Sequence, residues 1–380
     1  MSHLNVEHHA ILTPDTISLV TGATGFIGGE ITCALSDLIR SGRGRVCALV
    51  RPRPGESAVT RLIQRLSRGN APSPAAAHVK ALSGDMVKPN WGLSLSDLQW
   101  VTEKVDMIIH NAADTSFVAR RSTAETNVAG TRELISLARK CQRNPLIVFM
   151  STAANSGEVK NRILTEADGC RPENIHFNDY TYSKAIAEQM LCDSGLPVLI
   201  LRPTIVLPAG RDDAELAKQI LWFAPITRWF KALPIHPASR LDVIDVDFVI
   251  KATLGLLRKR HRRWQTYNLS AGPQQAVTTK QAFTIIDRYN ERSKPLLLVD
   301  PDRWSTWHNA VFVRSKLQRR LFSALERYLP FLNQNVVYDD RRLWQELGTQ
   351  TPCLRPLLGD LPNLLALIPD RVALRESARP

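Results

Sequence analysis

A parallel, doubly wound α/β sheet is the fold class this sequence predicts, and three observations predict it. Short runs rich in Val, Ile and Leu recur at 17–21, 46–50, 79–82, 107–110, 146–151 and 198–201. Such runs, bounded by polar residues, suit strands buried on both faces. Helical patterns lie between them, the alternation that a parallel sheet requires. A glycine-rich turn joins the first run to the first helix.

That turn reads Thr21-Gly22-Ala23-Thr24-Gly25-Phe26-Ile27-Gly28. Glycines let the backbone approach a pyrophosphate, and the helix N-terminus adds N–H donors and positive potential. Gly22, Thr24, Gly25, Phe26, Ile27 and Gly28 are therefore candidate dinucleotide contacts. In the helix that follows, Ile27, Ile31, Leu35 and Leu38 form one apolar face. The second strand ends Leu49-Val50-Arg51. An acidic residue there would bind the ribose hydroxyls of NAD, whereas an arginine pairs with a 2′-phosphate, so NADPH is expected.

The segment 53–74, rich in Arg, Pro and Ser, reads as an exposed excursion. Gly84-Asp85, past the third strand, either lies under the adenine, with Asp85 accepting from its amino group, or forms a simple turn. The fourth strand ends His110-Asn111-Ala112-Ala113, small enough for a cofactor to approach. Helices are expected over 126–140 and 180–193, and the fifth strand ends Met150-Ser151-Thr152-Ala153. Tyr180 and Lys184, four apart, share a helical face. A neighbouring ammonium would lower the phenol's pKa and make it a proton donor near neutral pH, with Thr152 holding the same oxygen. Tyr182 does not compete, because Ile186 stands four residues beyond it.

After Pro203 the pattern changes. Prolines 203, 208, 225, 234 and 237, with Trp222, Phe223, Trp229 and Phe230 among them, predict short helices and loops covering something apolar. Strand-like pieces return at 242–246 and 266–269, a helix is expected near 247–258, and a second helical section runs from 273 into a Leu- and Pro-rich tail at 354–374. The expected division is an NADP-binding unit over 1–204, with 241–272 returning to it, and a substrate or lid region over 205–240 and 273–380. Within the latter, Leu317, Leu321, Leu325 and Tyr328 form a helical stripe, with Lys316, Arg319, Arg320 and Arg327 off it.

Composition excludes several classes. With 44% hydrophobic and 22% charged residues, the 380-residue chain can build a core, which excludes a disordered chain. Six scattered cysteines without a CxxC pair argue against a disulfide framework or a zinc module; a reducing, cytoplasmic setting and no bound metal are expected. The polar N-terminal lead is no signal peptide, and no apolar run approaches the roughly 20 residues of a membrane span. The balance of 49 basic against 36 acidic residues, a net charge of +13, favours an acidic partner. The densest run, Arg258-Lys259-Arg260-His261-Arg262-Arg263, reads as cations closing a helix C-terminus. No aromatics alternate with it, which argues against a nucleic-acid strip.

In this order, over roughly residues 15–270, the motifs resemble an extended short-chain dehydrogenase/reductase. The resemblance implies a Rossmann sheet with a smaller, mainly helical C-terminal substrate domain. It also implies a catalytic triad of Thr152, Tyr180 and Lys184, with Pro203, in Leu201-Arg202-Pro203-Thr204, beside the nicotinamide. Within that superfamily the chain is most similar to the thioester reductase and fatty acyl-CoA reductase, or "male sterility", branch. The similarity rests on His110-Asn111-Ala112-Ala113-Asp114-Thr115-Ser116-Phe117, Asn127-Val128-Ala129-Gly130-Thr131, 180–188 and Leu201-Arg202-Pro203-Thr204-Ile205-Val206. Tyr328-Leu329-Pro330-Phe331-Leu332 and Tyr338-Asp339-Asp340 add a looser likeness.

The activity this implies is NADPH-dependent reduction of an acyl thioester, on coenzyme A or an acidic acyl-carrier protein, to the aldehyde and onward to the alcohol. Nucleic acid is not an expected partner; peripheral membrane contact and an oligomer stay open. Many relatives carry a glycine shortly after the RPxxV stretch, whereas Val206 is followed by Leu207-Pro208-Ala209-Gly210, so acyl identity does not carry over. Two other readings stand beside this one. The same triad would serve a hydroxyl or keto group on a sterol-like, flavonoid-like or sugar-nucleotide substrate, although the crowding of Trp, Phe, Leu and Pro over 205–240 suits an apolar one. An idle NADPH-binding sensor is the second, and the intact Thr-Tyr-Lys set argues against it.

Overall fold

The computed structural model describes residues 12–40, 42–67, 78–117, 121–208, 223–260 and 262–348. Seven strands form one parallel sheet: β1 (Ile17–Thr21), β2 (Arg45–Val50), β3 (Val79–Ser83), β4 (Met107–His110), β5 (Leu146–Met150), β6 (Val198–Pro203) and β7 (Thr266–Leu269). Their spatial order is β3-β2-β1-β4-β5-β6-β7. The chain thus winds outward in both directions from β1 and β4, and a crevice opens at their C-terminal ends, where such sheets bind ligands.

Among the described residues, six helices cover the sheet: α1 (Phe26–Ile39), α2 (Ala58–Leu66), α3 (Leu95–Lys104), α4 (Arg121–Lys140), α5 (Asp179–Cys192) and α6 (Val246–Leu257). Alternate strand residues serve opposite cores, because side chains on a strand point to alternate faces. Val20, Ile109, Val148 and Leu201 pack with Leu35, Leu62 and Leu256. Leu19, Ile108, Phe149 and Ile200 pack on the other face with Val101, Leu134 and Leu191. Hence α1, α2 and α6 lie on one side and α3, α4 and α5 on the other. Both faces are dry.

Three expectations need correction. The excursion expected over 53–74 contains α2, because Ala58, Leu62, Arg65 and Leu66 bury one face and Ser57 caps the start, accepting from the Thr60 N–H at 3.1 Å. The rest of it, 68–74, lies outside the described residues. Helix α3 has no counterpart in the sequence expectation, although Ser94 caps it by accepting from the Asp97 N–H. Strand β6 runs two residues past its expected end, to Pro203, which pairs with Leu269 of β7. A proline removes a backbone donor, and the strand's last position is where the ladder loses least by it.

The C-terminal section is built from α7 (Thr279–Tyr289), α8 (Thr306–Phe312), α9 (Lys316–Glu326), α10 (Leu329–Asn333) and α11 (Arg341–Leu347). In α9 the buried stripe is Leu321, Phe322 and Leu325, while Leu317 is exposed. The stripe is rotated because Phe322 packs 6.2 Å from the buried Phe230. The described part of 205–240 is mostly core rather than cover: Ala224, Ile226, Phe230, Leu233 and Ile235 are buried. Residues 209–222 and the 354–374 tail fall outside the described residues. The 258–263 run does close α6, with one difference: Arg262 is buried and its Nη1 donates to the carbonyl of Leu256 at 3.2 Å. No helix among the described residues is long and apolar enough to cross a membrane.

One buried carboxylate joins the two halves. Asp242 accepts from the hydroxyls of Thr204 (3.1 Å) and Ser270 (2.6 Å) and from the N–H groups of Ala271 (3.0 Å) and Tyr338 (3.0 Å). It thereby fastens the ends of β6 and β7 to the C-terminal section. Burial pushes its pKa up against those four hydrogen bonds. Removing it leaves donors without an acceptor, at about 1–3 kcal/mol for each one left buried. Asp242→Ala is therefore expected to destabilise the fold by at least about 3 kcal/mol, read as a lowered urea midpoint.

Candidate active site

Strand β1 ends in the buried Thr21, whose Oγ1 lies 3.0 Å from His110 Nδ1 and accepts from the Ala112 N–H at 3.1 Å. This stitches the ends of β1 and β4 together across the crevice. The turn beyond it has no room for side chains. Gly22 has φ +72, and a Cβ there would lie 2.7 Å from the Ala112 nitrogen. A Cβ on Gly28 would lie 2.3 Å from the Gly22 carbonyl oxygen and 2.8 Å from Asn111 Nδ2. Gly25 opens α1 with no side-chain cap, and Thr24, Phe26 and Ile27 are half-buried beside it. A backbone cradle therefore faces the start of a helix, where a pyrophosphate fits.

Sequence reasoning missed what holds this loop. Arg65 of α2 is 5% exposed; its Nε donates to the Gly25 carbonyl at 3.1 Å and its Nη2 to Phe26 O at 3.1 Å and Glu30 Oε1 at 2.9 Å. Its guanidinium occupies the space a Cβ on Gly29 would need, 2.6 Å from Cζ. At the end of β2, Arg51 and Arg53 are exposed, and Arg61 of α2 donates to the Arg51 carbonyl. Burial, and then the Arg53 and Arg51 charges, hold the Arg61 guanidinium below its ordinary value. Three guanidinium groups gather there. Asp85 sits at the end of β3 in a local turn, its Oδ1 accepting from the Val87 N–H at 3.3 Å.

The second cluster stands at the ends of β5 and β6. Thr152 follows β5 and accepts from the Ala154 N–H at 3.3 Å. Helix α5 is capped by Asn178, whose Oδ1 accepts from the Thr181 N–H at 2.9 Å. It carries Tyr180 and Lys184 toward the sheet. The Thr152 side chain stands near enough to the Tyr180 phenol to pull its pKa down. Lys184 is 3% exposed and donates from Nζ to the Met150 carbonyl at 2.7 Å, with the ammonium 4.6 Å from the Phe149 ring centroid. Burial pushes its pKa down to about 7, against the raising effect of Glu188. His110 is pushed down to about 3, by burial and by the Lys184 charge, and is neutral.

One sequence expectation fails here. The ammonium does not lower the phenol: burial pushes Tyr180 up to about 12, opposed only by the Thr152 side chain. Lys184 is turned onto a backbone carbonyl instead.

Behind this cluster, Glu188 accepts from Ser151 Oγ (2.8 Å), Asn155 Nδ2 (2.7 Å) and Arg202 Nε (3.0 Å), and is 1% exposed. Arg202 also donates to the Glu166 carbonyl at 2.7 Å. Aromatic rings wall the outer side. Phe117 lies 6.1 Å from Tyr180, 5.0 Å from Tyr328 and 5.1 Å from Phe331. A cavity of about 640 Å³ opens beside them, lined by Phe117, His176, Phe177, Tyr182, Glu326 and Arg327 among others. Asn111, Ala112 and Ala113 follow β4, and Pro203 ends β6. Every candidate residue thus lies at or just beyond the C-terminal end of β1 to β6, or on α1 and α5.

Residues 20–253, more than half of the chain, match the family described as "Male sterility protein". The chain is 30% identical over 282 residues to the carboxylic acid reductase of Mycobacterium tuberculosis, covering 66% of this chain and 24% of that protein. It is 26% identical over 304 residues to fatty acyl-CoA reductase 1 of Xenopus laevis, covering 67% of this chain and 57% of that one. It therefore spans less than two thirds of these relatives. Among solved structures, the terminal R domain of the myxalamid PKS-NRPS pathway superposes with a TM-score of 0.74 at 26% identity, over 94% of this chain and 90% of that one. By this family match, and by a sheet order and strand-end loops that agree with it, the chain belongs to the male sterility family, within the extended short-chain dehydrogenases/reductases.

Proposed function

We propose that the protein reduces an acyl thioester with NADPH to the aldehyde, and that the aldehyde can be reduced again to the alcohol. The observation that carries this reading is the Thr152–Tyr180 pair, backed by Lys184 and walled by Phe117, Tyr328 and Phe331. Apolar rings beside a pair of hydroxyls suit a carbonyl on a hydrophobic chain better than a sugar. The similarity to a carboxylic acid reductase, a fatty acyl-CoA reductase and a terminal R domain points the same way.

The residues fit a dinucleotide. Gly22, Gly25 and Gly28 let the turn and the start of α1 pack directly on one another and on Asn111 and Ala112, so that backbone alone faces the place where its phosphates would lie. Arg51, with Arg53 and Arg61 beside it, supplies charge for a 2′-phosphate, which a guanidinium binds with paired hydrogen bonds. When bound, the nicotinamide supplies hydride to the carbonyl carbon. Thr152 and Tyr180 donate hydrogen bonds to the oxygen as negative charge develops on it, the largest single contribution in most acyl-group chemistry. Tyr180 holds its proton firmly, so it remains a donor throughout the neutral range. Below about pH 7 the Lys184 ammonium is held on the Met150 carbonyl, and turned toward a bound cofactor it would donate to a ribose hydroxyl. The tetrahedral intermediate then expels the thiolate, which takes a proton from solvent. For the alcohol, the aldehyde held by the same two hydroxyls would take hydride from a second NADPH and the proton from Tyr180.

The direct test incubates the protein with NADPH and a panel of acyl-coenzyme A and acyl-carrier thioesters, identifying aldehyde or alcohol by mass. NADPH consumption without either product overturns the reading.

Tyr180→Phe is expected to lower kcat by about 10²–10⁴-fold, the usual worth of a positioned proton donor, while thermal melting and NADPH binding stay near wild type. Arg51→Ala should weaken NADPH binding by about 1.5–3 kcal/mol, the range for hydrogen bonds to charged groups, and leave NADH unaffected. Equal losses for both cofactors would remove Arg51 from phosphate recognition. The pH dependence follows from Lys184. Its folded pKa is near 7, so the free enzyme loses this ammonium as pH rises through about 7. The kcat/KM for NADPH should fall on that alkaline side, and Lys184→Met should flatten the profile at a low level.

A further inference from the structure

A face of the C-terminal section, remote in sequence from the strand-end motifs, combines exposed rings with exposed cations. Trp307 on α8 is 61% exposed, Trp229 47%, Leu297 54% and Leu317 37%. They share one region. The Gln318 side chain donates to the Trp229 carbonyl at 2.7 Å and accepts from the Arg314 N–H at 3.0 Å, and Arg314 Nε donates to the Ala310 carbonyl of α8 at 3.3 Å. Leu297 is tied to the same loop through the Lys231 carbonyl at 3.0 Å. The rings are anchored to the core through Trp304, stacked 5.0 Å from His308 and 6.1 Å from Phe322, itself 6.2 Å from Phe230.

Residues 303–325 hold Arg303, Arg314, Lys316, Arg319 and Arg320 and neither Asp nor Glu. All five cations are exposed, and none has a carboxylate partner among the described residues. Arg228 and Lys231 are exposed beside Trp229.

We propose that this face docks on an anionic lipid surface. Indole rings settle at the headgroup level of a bilayer, and Lys and Arg nearby are drawn to its negative potential. An acidic protein would need the cations but leave Trp307 and Trp229 without an apolar counterpart. A second copy would set like charges against each other. The match in charge and in apolar character is to lipid. With its rings outward and its cations around them, the face binds reversibly in the plane of the headgroups, as interfacial surfaces do.

The test is co-sedimentation of the full chain with vesicles of phosphatidylcholine alone and of phosphatidylcholine mixed with phosphatidylglycerol. No turnover is needed, so the result stands apart from the fate of the reductase reading. Binding is expected to the mixed vesicles, to weaken as salt is raised, and to be nearly lost on phosphatidylcholine. Neutralising one cation should cost roughly fivefold in partition, so Arg319→Glu with Arg320→Glu should lower it more than tenfold. Trp307→Ser should lower it severalfold with the salt dependence retained. Thermal melting and NADPH binding near wild type would show that both variants are folded. Equal binding to both vesicle types, or variants that partition like wild type, overturns the proposal. So does absence of vesicle binding, whether the face instead retains an acidic acyl-carrier protein or a dimer that Trp307→Ser dissolves.

Discussion

The Glu188 carboxylate is the constraint on which the geometry around Tyr180 depends. It is 1% exposed and held by Arg202, Ser151 and Asn155. An unpaired charge at that depth would be prohibitive, and the network is tolerable because nearly every lone pair has a donor. Its geometric effect is larger than its energetic one. Ser151 and Asn155 belong to the turn that follows β5, Arg202 to β6, and Glu188 to α5. The network fixes the depth and rotation of α5, which carries Tyr180 two turns earlier and Lys184 one turn earlier. Thr152, next to Ser151, is placed by the same contacts.

A parallel arrangement governs the cofactor crevice. Arg65 neutralises the carbonyls at the start of α1 from behind and is itself neutralised by Glu30 at 2.9 Å. The Gly25 and Phe26 carbonyls are thus engaged on the side away from the crevice. Thr21 ties the loop to β4. Two buried arginines, one at each cluster, therefore act on backbone and carboxylate, not on a ligand.

Much of this was legible in the sequence, and the limits are physical. The central strands β2, β4, β5 and β6 could be located because a strand buried on both faces needs a largely apolar run, and few other elements of that length do. The residues at strand ends were legible for a related reason: Gly22, Asn111 and Thr152 lie at or just past the ends of such runs, and Tyr180 is marked by its spacing to Lys184 on α5. Helix α2 was hidden because Arg61 and Arg65 stand on a segment crowded with Pro and Ser, and the spacing of Ala58, Leu62 and Leu66 is visible only once their burial is known. The electrostatic state of Tyr180 was not legible at all. It depends on rings from Phe117, Tyr328 and Phe331, which come from segments more than a hundred residues apart, and on Lys184 choosing a backbone carbonyl over the phenol. Local spacing specifies which groups share a helix face, not how dry that face becomes.

The hub at Asp242 has a consequence for how the chain acquires its structure. Its partners are separated from it by 28, 29, 38 and 96 residues. Loop closure over such distances is entropically slow, so contacts of this kind tend to form late. Until Tyr338 has left the ribosome, the carboxylate lacks one of its four donors, and the edge of the sheet at β6 and β7 lacks its tie to the C-terminal section. The outer strands are thus sealed by the last part of the described chain to be synthesised, and a nascent chain that stalls earlier exposes an unfinished sheet edge to its neighbours.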